Sequence, residues 1–108
     1  MISTHILDTH LGQPAVNVEI KLLTESGELL ATAFTNTDGR VLAQDFGLEK
    51  IKAGNYALEF MTQPYFAAKQ LATFFPKVVI HFSITQAQQH YHIPLLISPF
   101  AYSTYRGS

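Results

Sequence analysis

The chain has no cysteine and no tryptophan. Without cysteine it can build neither a disulfide framework nor a thiolate metal site, a composition compatible with a reducing compartment. Charge is also scarce: Asp, Glu, Lys and Arg make up 14% of the 108 residues, against about 25% in typical domains. The formal net charge is −1, and the seven Lys and Arg are scattered, so no basic field forms and nucleic acid is not an expected partner. Met1-Ile2-Ser3-Thr4-His5-Ile6 has neither the basic start nor the apolar run of a secretory signal. A membrane partner is therefore not expected either, and a cytoplasmic location is. Ser98 has no Gly-x-Ser-x-Gly elbow around it, and there is no phosphate-binding loop. What the chain has in quantity is hydrophobic residues, at 47%. Residues 1–108 read as a single domain that buries roughly two-thirds of the unfolded surface. So apolar a composition in so small a domain predicts that part of the surface meets another subunit.

The apolar residues recur at period two. Ile2 to Asp8 reads as a strand with Ser3, His5 and Leu7 opposite Thr4 and Ile6, and Leu11-Gly12-Gln13-Pro14 breaks it. Val16, Val18, Ile20 and Leu22 then alternate with Asn17, Glu19 and Lys21, the pattern of a half-buried strand. Leu29 to Thr35 forms a third strand, the turn Asn36-Thr37-Asp38-Gly39 delivers Arg40 at its exit, Val41-Leu42 reads as a brief edge strand, and residues 46–54 as loop. Tyr56, Leu58 and Phe60 define a further strand. Pro64 followed by residues 65–71 predicts one short helix. Val78, Ile80, Phe82 and Ile84 resume the alternation.

The carboxy-terminal stretch predicts two strands and a turn. In the first, Tyr91, Ile93, Leu95 and Ile97 take one face, and His90, His92, Pro94 and Leu96 the other. After Ser98-Pro99, Tyr102, Thr104, Arg106 and Ser108 share a side. Imidazole, guanidinium and hydroxyl are thus expected to meet on one sheet face. Pro94 implies an edge position or a local irregularity. Strands of this number and spacing predict an all-β antiparallel sandwich.

Spacing alone leaves the chemistry open. His90 and His92 at i and i+2 on a strand suit a metal, although no carboxylate or cysteine lies nearby to complete a ligand set. They equally suit general acid/base work or a structural, hydrogen-bonded role, and the last is the commonest. A lone His5 among apolar neighbours is more often structural than catalytic. Arg40 reads as a solvated loop cation, Arg106 as a terminal surface charge, and His10 and His81 as surface histidines.

Three separate motifs change that balance. Ser3-Thr4-His5-Ile6-Leu7-Asp8-Thr9 with Gly12 and Pro14-Ala15, Thr37-Asp38-Gly39-Arg40, and His90-Tyr91-His92-Ile93-Pro94-Leu95-Leu96 with the ending Tyr105-Arg106-Gly107-Ser108 together resemble the transthyretin-related 5-hydroxyisourate hydrolases. The resemblance covers essentially the whole chain. It implies the transthyretin fold of two four-stranded sheets with one short α-helix. It also implies a homotetramer whose central channel holds the active sites. Its catalytic residues map onto His5, Arg40, His92 and Ser108, with Tyr105 and Arg106 joining them around substrate. Ser108 would act through its hydroxyl or terminal carboxylate. The implied reaction is hydrolysis of 5-hydroxyisourate in urate degradation, with no metal or organic cofactor. A carrier of small aromatic ligands in the same channel is the alternative, and His5, His92 and the Tyr105 to Ser108 ending argue against it.

Overall fold

The computed structural model describes residues 1–48 and 50–108. Two sheets pack face to face. One contains β1 (Ile2–Asp8), β2 (Gln13–Pro14), β5 (Arg40–Val41), β8 (Tyr91–Ser98) and β9 (Ala101–Thr104), and the other is ordered β4 (Leu29–Phe34), β3 (Glu19–Thr24), β6 (Gly54–Phe60) and β7 (Val78–Ile84). The first sheet has five strands, not the four that the resemblance implied. It is nonetheless four strands wide, because β2 and β5 pair with opposite ends of β1 along the same edge. A strand has only two edges, and the other edge of β1 is occupied by β8.

The pairing of β1 with β8 is parallel, from Ile2 opposite Tyr91 to Asp8 opposite Ile97, whereas every other pair is antiparallel. Parallel neighbours need a long connection, and here most of the chain provides it. The core lies between the sheets. Ile6, Leu95 and Ile97 come from one side and Ile20, Leu22, Leu58 and Phe60 from the other, all at 0–1% exposure. These residues are the apolar members of the period-two runs.

Several local expectations shift by a few residues. Strand β3 starts at Glu19 because Asn17 takes φ 62°, which ends the alternation and leaves Val16 exposed. The helix α1 is Thr62–Ala67, not 65–71. Tyr65 and Phe66 hold it by inserting into the core, and the left-handed turn at Gln70 (φ 59°) stops it before the good helix formers are used. So short a helix depends on packing more than on propensity. Within the stretch read as loop, the end of the 3₁₀ turn Ala43–Phe46 buries Phe46. Pro94 sits on a central strand, not an edge. The irregularity that it implied is there: the β8–β9 ladder runs to Leu95 opposite Thr104, lapses, and resumes only at the single bridge His92–Gly107.

Buried Asp8 ties the helix to this sheet. Its Oδ1 accepts the backbone N–H of His10 and Leu11 at 2.9 Å each, and its Oδ2 accepts the Tyr65 hydroxyl at 2.7 Å. Burial first, and then this bond to Asp8, push the Tyr65 phenol well above its ordinary pKa.

Candidate active site

The outer face of the first sheet gathers the titratable side chains. On β1, Ile2, Thr4, Ile6 and Asp8 point inward, so Ser3 and His5 point out. On β8, Tyr91, Ile93 and Leu95 point inward and His92 points out. The register sets Ser3 opposite His92 and His5 opposite Pro94. On the other edge of β1, Arg40 stands directly opposite His5, and side chains paired this way share a face.

The turn before Arg40 is what brings it there. Asn36 Oδ1 accepts the backbone N–H of Asp38 and of Arg40, and Ile6 N–H donates to the Gly39 carbonyl at 2.7 Å. Gly39 takes φ 75°, and a Cβ there would lie 2.5 Å from the Ile6 carbonyl oxygen. Only glycine lets this loop close onto β1.

Each histidine is held by a specific partner. The His5 Nε2–H donates to the Asp38 carbonyl at 2.9 Å. A carbonyl only accepts, so His5 carries its proton on Nε2 when neutral. His92 Nδ1 lies 2.8 Å from the Ser3 hydroxyl, and the same hydroxyl lies 2.7 Å from His90 Nε2. Gly107 closes the other side of His92: its N–H donates to the His92 carbonyl at 2.9 Å, and a Cβ on it would come within 2.5 Å of the ring carbon Cδ2. A glycine is required there for the chain end to lie flat against the imidazole.

Both imidazoles are biased towards the neutral form. Burial is the largest influence lowering the pKa of His5, followed by the Arg40 guanidinium, against the opposing bond to Asp38. Burial likewise leads for His92, followed by Arg40, His90 and His5. Two neutral imidazoles beside an obligate cation can take a proton from water and stabilise an oxyanion.

Of the residues expected in the site, His5, Arg40 and His92 come together on one face, and Gly107, the neighbour of Ser108 in the chain, pairs with His92. Tyr105 is 61% exposed near the same end. Arg106 does not share the face of His5 and Arg40. Tyr102 and Thr104 pair with Ile97 and Leu95, so that side of the last strand faces inward, away from His92. Arg106 accordingly stacks on the Tyr91 ring at 4.6 Å, donates to Gln89 Oε1 at 3.3 Å, and lines a groove of about 300 Å³ whose other lining residues include Ile80, Phe82, His92, Ile93 and Tyr105. The expectation that His92 and Arg106 share one face failed because each strand's alternation was assigned a side independently, and only cross-strand pairing relates two strands. A larger groove, of about 450 Å³, lies between α1, Val16 and Phe34 and includes none of His5, Arg40 or His92.

Ser3 was missed as a site residue. Period two already put it on the side of His5, but its partners lie 87 and 89 residues away, beyond any local pattern. His10 and His81 are exposed, as expected. Among the described residues no group of three His, Cys, Asp or Glu is placed to hold a metal ion.

A two-sheet sandwich with a parallel pairing of first and penultimate strands, carrying two shielded imidazoles and a guanidinium on its outer face, defines a transthyretin-like protein equipped for acid/base chemistry. The chain belongs to the HIUase/Transthyretin family, which it matches over residues 2–107. The 5-hydroxyisourate hydrolase of Salmonella typhimurium is 44% identical over 112 residues, covering 100% of this chain and 81% of that protein. The structure of Klebsiella pneumoniae 5-hydroxyisourate hydrolase matches with a TM-score of 0.90 at 41% identity, covering 99% of this chain and 97% of the other. The crystal structure of transthyretin from Sparus aurata matches at 0.82 and 29% identity, covering 98% and 95%.

Proposed function

We infer that this chain hydrolyses 5-hydroxyisourate, opening the six-membered ring at an amide to give 2-oxo-4-hydroxy-4-carboxy-5-ureidoimidazoline. The observation that carries the reading is the cluster of His5, His92 and Arg40 on one sheet face, in a chain whose hydrolase relatives match it from end to end. Water is a poor nucleophile near neutral pH. Imidazoles held neutral by burial and by Arg40 are suited to take its proton as it attacks the carbonyl. The carbonyl oxygen then gains charge, and Arg40 stabilises it or holds the anionic purine. Ser108 completes the hydrogen-bond network through its hydroxyl, and Tyr105 borders the substrate. No step requires a metal or an organic cofactor.

The catalytic face is open in a single chain, and its surroundings favour assembly. Phe100 and Tyr105 are 70% and 61% exposed, and all four residues of β9 are exposed. A homotetramer that closes these faces over the site is the arrangement we propose, acting in the cytoplasm. No helix among the described residues is long and apolar enough to cross a membrane.

The test is the ultraviolet decay of 5-hydroxyisourate generated in place by urate oxidase. The native chain should accelerate it. His92→Asn should keep the fold and lose roughly 10²-fold or more in rate. Equal decay with and without protein would favour a carrier of aromatic ligands, which shares the fold.

A further inference from the structure

We propose that Ser3 and His90 form a proton relay behind His92, fixing the neutral tautomer that leaves His92 Nε2 as the base and carrying the abstracted proton out to solvent. The inference rests on the hydrolytic reading above and names two residues that act through His92. Ser3 is 5% exposed, and its hydroxyl bridges His90 Nε2 at 2.7 Å and His92 Nδ1 at 2.8 Å. A hydroxyl has one proton to donate. Only two arrangements therefore satisfy both contacts when the rings are neutral. Either His90 donates to Ser3 and Ser3 to His92, leaving the proton of His92 on Nε2, or His92 donates from Nδ1 to Ser3 and Ser3 to His90.

Geometry favours the second arrangement: Arg40 shares this sheet face with His92, and Ser3 takes up Nδ1, which leaves Nε2 as the nitrogen open to the cation's field. Arg40 is the strongest charge acting on His92, and a guanidinium favours a bare lone pair over an N–H dipole at Nε2. Nε2 has no hydrogen-bond partner among the described residues.

The proton balance then closes. Water forms its bond to the carbonyl carbon and gives a proton to His92 Nε2. The Nδ1 proton passes to the Ser3 hydroxyl, whose own proton passes to His90 Nε2. His90 becomes an imidazolium, and because it is exposed it releases its Nδ1 proton to solvent. As the C–N bond breaks, His92 Nε2–H gives its proton to the departing nitrogen, and a solvent proton taken up at His90 Nδ1 drives the relay back through Ser3 to His92 Nδ1, restoring the starting tautomers. The new carboxylic acid then ionises. One proton leaves per turnover. The charged and titratable groups facing His92 throughout are Arg40, His90 and His5.

The experiment combines rates with nitrogen-15 spectra of the histidine rings in the native protein, Ser3→Ala and His90→Ala, above pH 7.5 or so where the rings are neutral. The native His92 should carry its proton on Nδ1, and Ser3→Ala should move it to Nε2, the form free imidazole side chains prefer. Each variant should lower kcat by about tenfold with KM nearly unchanged. His90 is exposed, so His90→Ala tests the relay without disturbing packing. An Nε2–H tautomer in native His92, or native kcat in both variants, overturns the relay. If the native protein fails to hydrolyse 5-hydroxyisourate, the functional reading falls, whereas the tautomer spectra still judge the relay.

Discussion

His81 and His92 occupy equivalent places in the sequence pattern and very different places in the molecule. Each is the outward residue of an alternating strand, flanked by Ile80 and Phe82 in one case and Tyr91 and Ile93 in the other. Across the strand His81 meets Ala57 and makes no side-chain hydrogen bond among the described residues. His92 meets Ser3, lies under Gly107, and feels Arg40, His90 and His5. The outer face around His81 has ordinary surface contacts, such as Lys77 to Glu59 at 3.4 Å and Ser83 to Asn55 at 2.6 Å, and pairs of this kind add little to stability. A histidine thus acquires the setting a base needs through its cross-strand neighbours, and the strand that carries it is indifferent.

On the proposed mechanism one sheet stabilises and the other reacts, and substitutions can break that division. The largest expected effect is on stability: Phe60→Ala, in the sheet of His81, removes a fully buried ring and should cost about 3–5 kcal/mol. Denaturant unfolding measures it, while the rate per folded molecule stays near native. The converse variant is Gly107→Ala, whose new Cβ would meet His92 Cδ2 at 2.5 Å and Pro94 Cγ at 3.1 Å. Displacing the ring should lower kcat by about tenfold, with an unfolding midpoint close to native.

The acid limb of the rate profile sharpens the contrast further. His5 and His92 are held below the ordinary value of 6.5, so the rate should hold through that pH on acidification and fall only below it. Arg40→Ala removes a positive charge, so its residual activity should begin to fall at higher pH than native. Stability follows the same linkage. Unfolded, both rings titrate near 6.5, so below about that pH the unfolded state binds more protons than the native state, and stability drops as pH falls towards the folded values. Above it their contribution is flat. The smallest effect should come from Arg106→Ala. Stacked on Tyr91 and turned from His92, Arg106 should keep the rate within about threefold when replaced, as surface changes usually do. A loss as large as that of His92→Asn would return Arg106 to the site.

Much of this was legible in the chain. Period two located β1, β6, β7 and β8 and their inward faces, since burial requires an apolar residue at every second position and leaves a readable pattern. The turn at Asp38-Gly39 was equally legible, because a left-handed backbone there demands glycine. The motifs carried the resemblance that named His5, Arg40 and His92 together. Less was legible where an element depends on packing: α1 stops at Ala67 despite good helix formers beyond it, held by Tyr65 on Asp8.

The amino-acid sequence by itself determined which residues face the core, where the chain turns, and which chemical groups are available. Only the tertiary structure decided which of those groups meet. The parallel pairing of β1 with β8 joins residues nearly ninety positions apart, setting Ser3 against His90 and His92 and leaving Arg106 on the other side of its sheet. Alternation is local and fixes a side chain's face relative to its own strand. Which strands become neighbours, and in what register, is set by burying all the apolar faces at once, a condition that no single segment records.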